Sequence, residues 1–122
     1  MKKILIVDDE KDFCELIKFR IESSGDFQVV TYSNGKEAAK IARREKPDLI
    51  LLDVIMPGID GPGIAAELKN FKETRDIPIV FLTAIVNQDE AKERSNVIGG
   101  EYFLAKPVDS KELLNIINEL IR

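Results

Sequence analysis

The sequence predicts an α/β domain built on an open parallel sheet with helices on both faces. Five short apolar runs alternate with five longer amphipathic stretches. Three of the runs are apolar throughout, which is the pattern of central strands covered on both sides. Five strand–helix units are too few to close an eight-stranded barrel, so right-handed crossovers leave the sheet open.

The elements follow in order along the chain. Ile4–Val7 is the first strand and ends at Asp8-Asp9. Phe13, Leu16, Ile17 and Ile21 then recur at helical spacing, and Ser23-Ser24-Gly25 supplies a stop. Phe27–Tyr32 carries Gln28 and Thr31, which suits an edge strand. Asn34 is the N-cap candidate for a second helix with Ala38, Ile41 and Ala42, closed by Pro47. Leu49–Leu52 forms the third strand and ends at Asp53. Asp60-Gly61-Pro62 opens the third helix, with proline in the first turn, where its missing N–H costs nothing. Ile79–Leu82 ends at Thr83. Asn87–Ile98 is the weakest helical pattern, with only Ala91, Val97 and Ile98 apolar before Gly99-Gly100. Tyr102–Ala105 runs into Lys106-Pro107, and a last helix capped by Asp109 or Ser110 buries Leu113, Ile116, Ile117 and Leu120. There are no repeats and no low-complexity segments, so residues 1–122 read as one domain.

Composition narrows the chemistry. With 44% hydrophobic and 33% charged residues, the balance is that of a soluble globular domain. A net charge of −4 argues against direct nucleic-acid binding, which wants a basic surplus. The chain has no histidine, which removes Ser-His catalysis and every His-ligated metal site. Its single cysteine, Cys14, forms no intrachain disulfide and reads as a small hydrophobe beside the apolar stripe of the first helix. Met1-Lys2-Lys3 precedes only Ile4–Val7, too short an apolar run for a signal peptide, and no stretch suits a membrane span. A cytoplasmic location without membrane contact is expected.

In open parallel sheets, ligands bind outside the carboxyl ends of the strands. Those ends carry Asp8 and Asp9, Asp53, Thr83 and Lys106. Clustered carboxylates repel one another, and a single lysine leaves them negative. A hard divalent cation with oxygen ligands, such as Mg²⁺, relieves that repulsion. Thr83 and Lys106 are donors suited to phosphoryl oxygens, and a carboxylate can attack phosphorus to give an aspartyl phosphate. The residues therefore describe a Mg²⁺-assisted phosphoryl site with Asp53 as the central acceptor. Each feature alone has a plainer reading: Asp8-Asp9 as a helix cap, Thr83 as a loop hydroxyl, Lys106 as a solvated charge, Phe103 as core.

Taken together, the strings Ile4-Leu5-Ile6-Val7-Asp8-Asp9-Glu10, Asp48 to Pro57 with Asp60-Gly61 behind it, Thr83-Ala84 and Lys106-Pro107 resemble the receiver domain of two-component response regulators, such as the chemotaxis receiver. The resemblance covers the whole chain. It implies a flavodoxin-like (βα)5 fold of strand order 2-1-3-4-5 and a phosphorylation-dependent signalling switch. It implies Asp53 as phosphoacceptor. Asp9, Asp53 and the Ile55 carbonyl would ligate Mg²⁺ or Mn²⁺, with Asp8 acting through water. Thr83 and Lys106 would bind the phosphoryl oxygens, Phe103 would take the switch position, and Lys106-Pro107 would be a cis peptide. Ile55 and Ile85, each two residues beyond a site residue, would tune dephosphorylation by excluding water. A sensor histidine kinase or phosphotransfer protein would be the donor. A downstream effector or output domain would read the surface of the fourth helix, fifth strand and last helix, and a phosphorylation-dependent dimer is compatible with this. Two competing readings are a multiple-turnover aspartyl-phosphate phosphatase and a receiver-like module that is never phosphorylated. Adjacent Asp8-Asp9 does not match the Asp-x-Asp motif of the first, and the complete acid set with Thr83 and Lys106 argues against the second.

Overall fold

The computed structural model describes residues 1–53, 55–56, 59–83, 97–98 and 101–121. The principal strands are β1 (Lys2–Val7), β2 (Phe27–Tyr32), β3 (Leu49–Asp53), β4 (Ile79–Thr83) and β5 (Glu101–Ala105). The helices are α1 (Lys11–Glu22), α2 (Ala38–Glu45), α3 (Gly61–Lys69) and α4 (Ser110–Leu120), with a 3₁₀ turn at Gly35–Glu37 leading into α2. The principal strands are all parallel, in the order β2-β1-β3-β4-β5, as expected.

The apolar strands divide their side chains between two cores. Ile4 and Ile6 of β1, Leu49 and Leu51 of β3, and Val80 and Leu82 of β4 meet Cys14, Ile17 and Ile21 of α1 and Leu113, Ile116 and Ile117 of α4. The intervening Leu5, Val7, Ile50, Leu52, Ile79 and Phe81 meet Ala38, Ile41 and Ala42 of α2 and Ile64 and Leu68 of α3. Side chains alternate across a strand, so a strand covered on both faces must be apolar at every position.

Helix ends explain the boundaries. The Asn34 side chain accepts from the Lys36 amide at 3.0 Å, and the Asp109 side chain accepts from the Glu112 amide at 3.0 Å. Both satisfy amides that the first turn leaves without partners. At the end of α2, Lys46 adopts φ 50° and donates its amide to the Ala42 carbonyl at 2.8 Å. Pro47 then prevents continuation. The buried Thr74 hydroxyl donates to the Leu68 carbonyl at 2.6 Å, holding the turn after α3 against the last turn of that helix.

Two expectations need correction. Val97–Ile98, assigned by pattern to the end of a helix, is instead a two-residue strand antiparallel to β5. A pair of β-branched residues before Gly99-Gly100 satisfies edge pairing better than it anchors a helix with little apolar face. The remainder of that pattern, residues 87–96, lies outside the described residues. Leu16 is 47% exposed, and Cys14 takes its place in the buried stripe. Leu16 sits about 100° around the helix from Ile17, off the line through Cys14, Ile17 and Ile21.

Lys46 and Asp109 give a paired stability test. Lys46→Gly relieves a left-handed backbone that disfavours side chains, and is expected to raise unfolding free energy by about 0.5–1 kcal/mol. Asp109→Ala removes a helix cap and is expected to lower it by about 1 kcal/mol. Urea titration of both variants measures the two effects.

Candidate functional site

Strand register sets the site. Val7 pairs with Leu52, Asp53 with Leu82, and Thr83 with Ala105, so the strands run out at nearly one level. Asp8 follows β1, Asp53 and Thr83 close β3 and β4, and Lys106 follows β5. The Asp8 amide donates to the Tyr32 carbonyl at 3.1 Å and the Lys106 amide to the Thr83 carbonyl at 2.9 Å. These bonds extend the sheet by one residue and fix where both side chains start. Lys106-Pro107 is a cis peptide, as expected.

Asp8 is fully buried, Asp53 and Thr83 are nearly so, and Asp9 is exposed. One carboxylate oxygen from each of Asp8, Asp9 and Asp53 lies within 4.8 Å of the others. The Lys106 ammonium sits 2.7 Å from Asp8 Oδ2, 2.8 Å from Glu10 Oε1 and 3.6 Å from Asp53 Oδ2. It also lies 4.4 Å from the centre of the Phe13 ring. Asp8 Oδ1 accepts from the Glu10 amide at 2.9 Å, an Asx turn that opens α1. The buried Asp8 Oδ2 is held by the Lys106 ammonium.

The electrostatics follow from this enclosure. Burial alone would lower the Lys106 pKa, but hydrogen bonds to Asp8 and Glu10 and the charges of Asp8 and Asp53 outweigh it and raise it. Lys106 is therefore a fixed cation. One ammonium against the nearby carboxylates of Asp8, Asp9, Glu10 and Asp53 leaves the group negative. A divalent cation fits that excess of negative charge. Oxygen ligands of an octahedral Mg²⁺, at about 2.1 Å from the ion, stand about 3–4 Å apart, close to the spread of these three acids.

The structure thus brings Asp8, Asp9, Asp53 and Lys106 together, with Thr83 at the next strand end. Ile55 begins a two-residue strand whose antiparallel partner is Ile59–Asp60. Phe103 is half-buried on β5, its ring 5.4 Å from that of Phe81 and tilted by 32°, on the side facing α2 and α3. Ile85 lies outside the described residues. Sequence reasoning missed the side chains of Glu10 and Phe13 as neighbours of the ammonium. Their signal was position: both lie at the start of α1, directly behind Asp8-Asp9.

The model of the response regulator receiver domain matches residues 4–118. The chain is 41% identical to the "Probable transcriptional regulator ycf27" of Porphyra purpurea, over 99% of this chain and 48% of that protein. It is 37% identical to the alkaline phosphatase synthesis transcriptional regulatory protein PhoP of Bacillus subtilis, over 99% and 49%. The chain therefore spans about half the length of these curated relatives. Among solved structures, the receiver domain of the sensor histidine kinase PA1611 from Pseudomonas aeruginosa superposes with a TM-score of 0.81 at 30% identity, covering 98% of this chain and 97% of that one. That structure is described with a magnesium ion coordinated in its active-site cleft. The chemotaxis protein CheY4 of Vibrio cholerae also gives a TM-score of 0.81, at 26% identity and 98% coverage of both chains.

Cys14 reports on the integrity of this site, since its thiol donates to the Asp8 carbonyl at 3.4 Å. Burial, and then the charge of Asp8, push its pKa from 9.0 up to about 12. The thiol is therefore neutral in the fold and ionises first in the unfolded chain. Its contribution to stability is intact below pH 9.0 and is lost as pH rises toward about 12. At pH 8 the native thiol is expected to react with Ellman's reagent at least ~100-fold more slowly than in the urea-unfolded chain. Equal rates would contradict the buried assignment.

Proposed function

Because the chain belongs to the response-regulator receiver family, whose members are phosphoryl-accepting signalling switches rather than substrate-turnover enzymes, we propose that Asp53 is its phosphoacceptor and that the chain catalyses its own phosphorylation and dephosphorylation. The observation that carries this is the Lys106 ammonium held against both Asp8 and Asp53 at the strand ends. Asp9, Asp53 and the Ile55 carbonyl would hold Mg²⁺ or Mn²⁺, with Asp8 acting through water. When bound, the ion offsets the negative charge of the transferring phosphoryl group.

The donor is a phosphohistidine on a sensor kinase or phosphotransfer protein. An Asp53 carboxylate oxygen attacks phosphorus in line, the P–N bond breaks, and its electron pair returns to the imidazole. Lys106 meets the charge that develops on the phosphoryl oxygens, and Thr83 donates its hydroxyl to one of them. The product carries about −1.5 to −2 charge, by analogy with phosphorylated hydroxyls. Thr83 and Lys106 move toward it, and the surface formed by β5 and α4 changes with them, Phe103 repacking. Phosphorylation favours the active arrangement only as far as it interacts better with that arrangement.

The output is read by a downstream effector or output domain, with dimerisation of the phosphorylated form as one route. The half-length match to relatives named as transcriptional regulators supports an attached output domain. No helix among the described residues is long and apolar enough to cross a membrane, which supports a cytoplasmic setting.

Acetyl phosphate with Mg²⁺ is expected to add one phosphoryl group to the chain, seen by intact mass, and none to Asp53→Asn. Asp9→Asn should weaken Mg²⁺ binding and labelling together, because a carboxylate ligand is lost. Comparable label on Asp53→Asn that maps to no neighbouring acid would refute the assignment. The same preparation tests the lifetime of the phosphoryl group. Hydrolysis needs a water held in line, and isoleucine at 55 and 85 offers nothing to orient one. Ile55→Asn combined with Ile85→Glu is expected to speed phosphate loss about tenfold or more, about 1.4 kcal/mol of barrier. An unchanged or slower decay, with Mg²⁺ binding intact, means that the isoleucines only pack.

A further inference from the structure

We propose that Glu10 is a latch on Lys106: its side chain holds the ammonium in the unphosphorylated arrangement and must release it when Asp53 is phosphorylated. The proposal rests on Asp53 as phosphoacceptor and adds a positioning residue that governs how readily that site fills.

The Lys106 ammonium has three N–H donors. Its neighbours are Asp8 Oδ2 at 2.7 Å, Glu10 Oε1 at 2.8 Å and Asp53 Oδ2 at 3.6 Å, with the Phe13 ring at 4.4 Å. Asp53, the carboxylate that receives the phosphoryl group, is therefore the most distant of the three. Two of the three donors are held by the close partners and the third stands 3.6 Å from Asp53, so drawing the ammonium onto phosphoryl oxygens there stretches at least one of the two close contacts. Asp8 is a poor candidate to give way, being fully buried and fixed by the Glu10 amide at 2.9 Å. Glu10 is the opposite case. Its backbone is fixed, donating to Asp8 and accepting from the Cys14 amide at 3.0 Å, while its side chain is 63% exposed. Solvent can take over its carboxylate when the lysine leaves. An arriving phosphoryl dianion also repels it. Glu10 therefore interacts better with the unphosphorylated arrangement, and this difference is what shifts an equilibrium between two states.

An exposed ion pair is a modest interaction, so its loss is worth about a twofold to fivefold change. In Glu10→Ala, labelling by acetyl phosphate and affinity for fluoroberyllate, a stable phosphoryl mimic, are both expected to rise by that factor. Mg²⁺ affinity measured without either anion is expected to fall, since a negative charge near the acids is gone. A general loosening of the site would lower all three. Glu10→Asp keeps the charge but draws the carboxylate back by one methylene, and is expected to label like Glu10→Ala. Labelling of Glu10→Ala at or below the rate of the unaltered chain, with the thermal transition unchanged, would overturn the latch alone. A rate for Glu10→Asp equal to that of the unaltered chain would also overturn it, because the contact would then be immaterial. Absence of label on the unaltered chain would overturn the phosphoacceptor assignment, and the latch with it.

Discussion

The Lys106 ammonium brings one positive charge to a place where Asp8 is fully buried and Asp53 is 4% exposed. Burying two carboxylates costs desolvation energy, which a nearby cation offsets. The lysine supplies that cation from the far side of the sheet, across β3 and β4. The edge formed by β1, β3, β4 and β5 therefore depends on a contact between residues nearly a hundred positions apart. A single ammonium still leaves the acids in excess, and that remainder is what recommends the site to a divalent cation and to a group that travels with one.

Most of the fold was legible because the strands are short, apolar and stopped by polar residues. Ile4–Val7, Leu49–Leu52 and Ile79–Leu82 could hardly be anything but central strands, and β2 reads as an edge from Gln28 and Thr31. The failures have a common cause. Leu16 and Cys14 differ by half a turn on one helix, and spacing alone cannot say which of two neighbouring lines faces the sheet. Val97–Ile98 is too short for any periodicity to be read, so its pairing with β5 is a tertiary fact.

The site was legible to a different degree. The strand-end rule and the residue types locate Asp8, Asp9, Asp53, Thr83 and Lys106 without any knowledge of distances. What a sequence does not carry is partnership. Glu10 lies beside Asp9 in the chain but meets Lys106 across the sheet edge, and Phe13 supplies a ring to the same ammonium. Both contacts depend on how α1 leaves β1, which the Asx turn at Asp8 determines.

The division of strand side chains between two cores has a consequence for how the sheet is assembled. In a sheet with one wet face, a shift of one residue along a strand exposes its apolar side, and that penalty keeps neighbours in step. Here Leu49–Leu52 is greasy on both faces, so sliding β3 by one position would exchange one buried side chain for another. The alternation of the sequence offers little resistance to such slippage. Resistance comes from the polar end: the same slide would draw Asp53 down between the helix layers or pull it away from Lys106. The acidic edge thus serves as an alignment mark for the strands, and the polar residues gathered at the strand ends also tell the sheet where to stop.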